Sequence, residues 1–238
     1  MAGHSKWSKI KRDKGANDAK RGAIFTKMGN QIAIAARGGT DPSMNSALAL
    51  AIERARAANM PNANIQRAID RINDKNAAVM EEIAYEGYGP SGVGIIIEVA
   101  TDNRNRTLPE VKTALAKNSG RLADAGSVMF QFTRKGVIRV EATGEDALLA
   151  ILDAGAEDAT EEDGEFIVYT DQKDLAKVRH SLVESGLKVL DAELQYVPNN
   201  EVQISDKEES EKLMRLMDAL DDLDDVVNVH TNADIFID

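Results

Sequence analysis

The chain contains no cysteine. Disulfides, zinc–thiolate sites and thiol nucleophiles are thereby excluded, and a reducing compartment is permitted. Aromatic residues make up only 4% of the 238 residues, so aliphatic side chains and alanine must fill the core that a 43% hydrophobic content can build. Long apolar runs are also missing. The longest, Val93 to Ile97, falls far short of the roughly 20 residues of a membrane-spanning helix. The N-terminus has the positive start of a signal peptide without an apolar segment behind it, so a cytoplasmic protein is expected. Catalytic signatures are scarce too. His4, His180 and His230 are scattered without paired ligand spacing, and no G-x-S-x-G elbow, P-loop or H-E-x-x-H occurs. No enzymatic activity, metal site, cofactor, small-molecule substrate or membrane partner is expected.

What is present is charge, unevenly placed. The formal net charge is -11, yet the first 27 residues hold eight Lys/Arg (Lys6, Lys9, Lys11, Arg12, Lys14, Lys20, Arg21, Lys27) against two acids. Residues 1–75 carry fourteen Lys/Arg and six Asp/Glu; the remainder carries fifteen and thirty-four. A basic leader on an acidic body points to a polyanion, because the leader attracts phosphates that the rest of the chain repels. The single tryptophan, Trp7, sits among these cations. It can stack on a base or ribose, or pin the leader to the helices that follow. For the charge split, a purely intramolecular pairing of basic and acidic parts is the competing reading.

Apolar spacing organises the rest. Ile24, Phe25, Met28, Ile32 and Ala36 recur at three and four, predicting a helix from about Asn17 to Arg37. Asp41-Pro42 reads as the cap of a second helix, with Leu48, Ile52 and Ala55 inward, and a third runs from Asn62 to Asn73. A helix-turn-helix reading would put Asn62, Asn64, Gln66, Arg67 and Arg71 on bases; a plain hairpin competes, since Asp70 and Asp74 counter the arginines. GYGPSGVG reads as a turn and Val93–Val99 as a buried strand. Thr107 and Glu110 read as a capping box opening a helix to Asn118, and Val128–Phe132 as a strand. Arg104 and Arg106 flank that helix start, where they can hold a phosphate or pair with the acidic tail. Asp218, Asp221, Asp222, Asp224 and Asp225 read as a solvated face, their spacing failing the calcium-loop pattern.

Beyond these, Val137–Val140, Phe166–Thr170, Val189–Val197 and Glu201–Ile204 read as strands, interleaved with helices over Glu145–Ala154 and Asp171–Ser185. The tail offers a helix, Glu208–Leu223, and a strand around Ile235-Phe236-Ile237. Since the unit at 93–132 lacks a second helix and closing strand, the tail is expected to complete it, making the intervening segment an insertion.

Several motifs also resemble the YebC family, which includes the translational activator of cytochrome c oxidase. They are Met1-Ala2-Gly3-His4-Ser5-Lys6-Trp7, Asp18-Ala19-Lys20-Arg21-Gly22, Ile24-Phe25-Thr26-Lys27, Ala58-Asn59-Met60-Pro61, Tyr85-Glu86-Gly87-Tyr88-Gly89-Pro90, Asp102-Asn103-Arg104-Asn105-Arg106-Thr107 and Gly126-Ser127-Val128. The resemblance implies an α+β protein: a helical N-terminal bundle, a middle α+β domain completed by the C-terminal segment, and an inserted ferredoxin-like domain. The expected spans are 1–78, 79–133 with 204–238, and 134–203. It implies a non-enzymatic regulator without cofactor, acting on DNA as a transcriptional regulator, or on ribosomal RNA of the large subunit as a translation factor at proline-rich stretches. Asn45-Ser46-Ala47-Leu48-Ala49 and Ala23 stand where family members carry basic residues, which weakens the bundle as a nucleic-acid surface. Binding is therefore placed on Lys6, Trp7, Lys9, Lys11, Arg12, Lys14, Lys20, Arg21 and Lys27, with Arg104 and Arg106 as a second contact.

Overall fold

The structure, a computed structural model, describes residues 18–74 and 77–235. Three helices come first: α1 (Asp18–Ala35), α2 (Ser46–Ala57) and α3 (Asn62–Asp70), the last continued by a 3-10 turn, Arg71–Asn73. Their stripes meet in one small core of Ile32, Ala36, Leu48, Ile52, Ala55, Met60, Ile65 and Ile69. The start of α2 is not where proline placed it. Asp41 instead holds a local turn, its Oδ1 accepting from the Ser43 N–H and hydroxyl at 2.9 and 2.7 Å. Asn45 is the cap: its Oδ1 accepts the Leu48 N–H at 3.1 Å while its Nδ2 donates to the Ala35 and Gly39 carbonyls at 2.7 and 2.8 Å. A carboxylate has no donor for those carbonyls, so an amide at this position closes α1 and opens α2 together. At the other end of α2, Asn59 takes a left-handed φ of 61° and Met60 N–H returns to Ala55 O at 2.9 Å.

The chain falls into two compact units: one contains the described residues up to Thr133 and from Val197 onward, the other is Arg134–Tyr196. In the first, β1 (Glu81–Tyr88), β2 (Gly94–Thr101), β3 (Arg121–Leu122) and β9 (Val226–Thr231) form a sheet in the order β3-β1-β2-β9. Every neighbouring pair is antiparallel. Helices α4 (Arg104–Lys117) and α7 (Lys207–Asp221) cover one face. There Ile95, Ile97 and Val99 meet Val111, Leu115, Leu213, Leu216 and Leu220. The alternate residues of β2 face the other way, where Ala100 packs with Met80 and with Ala33 of α1. β2 is thus buried on both sides, and the C-terminal segment closes the sheet. The same unit holds a separate short parallel pair, β8 (Val202–Ile204) and β10 (Ala233–Ile235).

Two expectations in this unit are corrected. Val128–Phe132 is not one strand: Met129–Gln131 is a 3-10 turn and only Phe132 enters a strand. The Glu86 carboxylate gathers the amides of Gly126, Val128 and Met129, and amides converging on one group cannot also extend along a ladder. Thr107 does not cap α4. Asn103 does, accepting the Arg106 N–H at 3.2 Å, while Thr107 lies within the helix and is fully buried.

The second unit is built on β4 (Phe132–Glu141), α5 (Glu145–Asp153), β5 (Asp158–Glu162), β6 (Glu165–Asp171), α6 (Leu175–Glu184) and β7 (Lys188–Pro198). The strand order β5-β6-β4-β7 in a βαββαβ chain is ferredoxin-like. β5 was not anticipated, although Asp163-Gly164, with φ of 50° and 84°, is the two-residue hairpin turn that announces it. Ile138, Val140, Ile151, Phe166, Val168, Val178 and Leu182 are buried. Gly136 lies within β4, opposite Thr170. A Cβ there would come 2.2 Å from Thr170 Oγ1 and 2.9 Å from Leu175 Cβ. Gly136→Ala is therefore expected to lower stability by about 1–3 kcal/mol through overpacking, read by urea denaturation. An unchanged midpoint would show that the sheet yields freely at this point.

Candidate nucleic-acid interface

Of the cations assigned to phosphate contact, Lys6, Lys9, Lys11, Arg12 and Lys14, together with Trp7, lie outside the described residues. Lys20 and Arg21 sit on the first turns of α1, and their side chains also lie outside them. Lys27 is described. Its Nζ donates to the backbone carbonyl of Asp221 and lies 3.4 Å from Asp221 Oδ1, with only 14% of the side chain exposed. Asp221 is the last residue of α7, where free carbonyls and the helix dipole favour a cation. Lys27 therefore fastens α1 to the acidic end of α7.

Arg106 has a comparable engagement. Its Nη2 lies 2.7 Å from Asp225 Oδ2 and 3.6 Å from Asp102 Oδ1, while Arg71 Nη2 lies 2.6 Å from Asp102 Oδ2. Of the alternatives for Arg104 and Arg106, pairing with the acidic tail is the arrangement Arg106 adopts. Asp225 is not part of a solvated face. Its side chain is 8% exposed, and Oδ2 accepts from the Thr101 hydroxyl at 2.9 Å and the Thr107 hydroxyl at 2.5 Å as well as from Arg106. Burial alone would raise the Asp225 pKa, but bonds from Thr107, Arg106 and Thr101 outweigh it and hold the group below the usual carboxylate value. The hydrogen bond and charge of Asp225 correspondingly hold Arg106 above its ordinary value. Arg104 is exposed and in no ion pair among the described residues.

These groups border a cleft of about 560 Å³ lined by α1, the turn after α3, the start of α4 and the end of α7. Asp102, Glu110, Asp222, Asp224 and Asp225 outnumber Arg71 and Arg106 around it. Among the described residues, a phosphate entering the cleft would meet net negative charge. The polar residues of α3 are likewise engaged locally: Gln66 with Asp70 at 2.9 Å, and Arg67 with Asn64 at 3.4 Å. Among the described residues no group of three or more His, Cys, Asp or Glu is placed to hold a metal, and no helix is long and apolar enough to cross a membrane.

A different corner of this unit is built on one buried carboxylate. The turn after β3 is held by Glu86, whose Oε1 accepts the Gly126 N–H at 2.5 Å and whose Oε2 accepts the Val128 and Met129 N–H groups at 2.6 and 2.7 Å. Burial would raise the Glu86 pKa, but these three amides outweigh it and lower it. Tyr88 donates its hydroxyl to Ser127 O at 2.9 Å, and Asn199 donates Nδ2 to Phe130 O at 3.3 Å. The turn so fastened displays Phe130, 72% exposed. Beside it the Arg121 guanidinium lies 4.5 Å over the Tyr88 ring. The one sequence sign of this arrangement is an acid, Glu86, in the buried half of β1 rather than at its exposed start beside Glu81 and Glu82.

A helical bundle, a sheet closed by the C-terminal segment and an inserted ferredoxin-like unit define an α+β protein of modular build. Residues 5–75 match the family described as TACO1/YebC protein N-terminal domain, and residues 80–233 match the TACO1/YebC second and third domain. The chain belongs to the TACO1/YebC family. It is 48% identical over 239 residues to a "Probable transcriptional regulatory protein" of Finegoldia magna, spanning 98% of this chain and 99% of that one. A protein of the same description from Moorella thermoacetica is 48% identical over 242 residues, spanning 99% and 96%. A crystal structure of a conserved hypothetical protein from Aquifex aeolicus superposes with a TM-score of 0.87 at 38% identity, covering 93% of each chain.

Proposed function

We propose that this protein is a non-enzymatic, nucleic-acid-binding regulator of gene expression that grips phosphates through its basic leader. A DNA target and a role in transcription are the leading reading, supported by the description its relatives carry. The observation that carries the proposal is the disposition of charge. In the body, Lys27, Arg71 and Arg106 are spent on the protein's own carboxylates, and the cleft that Arg71 and Arg106 border is acidic. In the sequence, Lys6, Lys9, Lys11, Arg12 and Lys14 form the densest cationic block, the one a polyanion would meet. A ribosomal RNA target is the second reading, favoured by Phe130, whose exposed ring suits unpaired bases that a duplex hides.

The test is salt-dependent binding of a labelled duplex by the full chain. With about six phosphates neutralised, log affinity should fall with log salt at a slope near −5. Replacing Lys9, Lys11 and Arg12 together by alanine should flatten that slope by about 2.7. Equal affinity and slope in the variant would remove the leader from binding. Crosslinking in cells, with identification of the bound nucleic acid, separates genomic DNA from ribosomal RNA.

A further inference from the structure

Phe130 occupies an unusual position for a large aromatic side chain. Leaving such a ring in water forgoes burial, and here the backbone beneath it is fixed rather than loose. Glu86 binds the amides of Gly126, Val128 and Met129, Gln131 N–H returns to Val128 O at 2.9 Å, and Asn199 binds the carbonyls of Phe130 and Gln131 at 3.3 and 2.8 Å. Val128, next in the turn, is fully buried as its anchor. The Gln131 side chain is held as well, its Oε1 accepting from Asn232 Nδ2 at 2.8 Å. A ring on so constrained a base loses little conformational freedom when it makes a contact.

We propose that Phe130 is a stacking platform for an unpaired nucleobase, with the guanidinium of Arg121 placed to meet the adjoining backbone phosphate. This rests on the nucleic-acid reading above and deepens it by naming single-stranded segments as a ligand at a second site, away from the leader. Three observations select this occupant. The exposed group is a flat ring, and base–aromatic stacking accepts any base. Arg121 is exposed, with its guanidinium 4.5 Å over the ring of Tyr88, whose hydroxyl is bonded to the same turn at Ser127 O. The Glu86 charge, which would otherwise repel a phosphate, is turned inward and saturated by three amides.

The experiment uses the full chain and a short single-stranded RNA carrying 2-aminopurine, whose fluorescence is quenched when its base stacks. Wild type should bind and quench. Phe130→Ala should abolish the quenching and weaken binding roughly 5- to 150-fold, the range reported by alanine substitution for one stacked base. Phe130→Trp should restore both, whereas Phe130→Leu, apolar but without a ring face, should restore neither. Arg121→Gln should flatten the salt slope by about 0.7, one single-strand phosphate. The same sequence as a duplex should show no difference between wild type and Phe130→Ala. Wild-type quenching and affinity in Phe130→Ala, with a salt slope still carried by the leader, overturns the platform while nucleic-acid binding stands. Rescue by leucine also overturns it, since the contact would then be apolar rather than stacked. Absence of any binding by wild type in dilute buffer overturns both readings together.

Discussion

Replacing Asp225 with alanine is expected to lower the unfolding free energy by about 3–4 kcal/mol, the lower end of what two buried hydroxyl bonds to a charged acceptor contribute at about 1.5–3 kcal/mol each. One oxygen of this carboxylate accepts from the Thr101 hydroxyl, the Thr107 hydroxyl and Arg106. Thr101 and Thr107 are both buried, and without the carboxylate their hydroxyls retain each other, at 2.8 Å, and backbone contacts. Arg106 contributes less than the geometry suggests. Its side chain is 48% exposed, so water compensates it when the partner is lost and its charge should be discounted accordingly. Arg106→Ala should therefore be clearly milder than Asp225→Ala.

The pH dependence has a definite sign. The folded pKa of Asp225 lies below the ordinary carboxylate value, so its contribution is complete above about pH 4, the unfolded value, and disappears as pH falls through the folded one. Urea denaturation at neutral and acidic pH reads both effects. The gap between wild type and Asp225→Ala should be full at pH 7 and narrow steadily below about pH 4. A gap that stays constant into strong acid would mean that packing, not the carboxylate charge, supports this corner.

The second large effect is expected at Glu86. Its side chain accepts three backbone amides from one turn, and the residue is buried. Glu86→Ala leaves those amides without an acceptor, and the Val128 amide is buried where water cannot replace it. At about 1–3 kcal/mol for an orphaned buried donor, and less for the partly exposed pair, a loss of about 3–5 kcal/mol follows. Glu86→Gln should be intermediate, because an amide offers one carbonyl oxygen and turns a donor toward other donors. Hydrogen exchange locates the effect: the amides of Gly126, Val128 and Met129 should exchange faster than in wild type, ahead of the β2 amides. Unchanged protection in that turn would show that Asn199 and Val128 hold it without the carboxylate.

The two sites differ in how far they could be foreseen. The helices α1, α2 and α3 were legible because a stripe of Ile, Leu and Ala at helical spacing is a local pattern. The strand around Ile95–Val99 was legible for the same reason, and the leftover helix and strand of the tail pointed to a sheet closed from the C-terminus. β1 was not, since Glu81-Glu82 and the buried Glu86 hide its alternation; Glu86 is tolerable there only because a turn some forty residues on delivers its amides. β5, Asp158–Glu162, is a polar strand at the edge of its sheet, so burial gives it no apolar signature. The cap of α2 moved from Asp41 to Asn45 because only an amide could satisfy carbonyls and an N–H at once, a requirement set by the end of α1.

The sequence by itself determined the family, through its motifs, and the α+β class and the separation of a cationic leader from an anionic body, because motifs, composition and local periodicity do not depend on where the chain turns. Only the tertiary structure decided which cations of the described body are engaged with its own carboxylates. Arg106 and Asp225 stand 119 residues apart in the chain yet touch at 2.7 Å, and Lys27 meets Asp221 across 194. Charge counts add along a sequence, but neutralisation depends on distances of a few ångströms, and folding alone sets those.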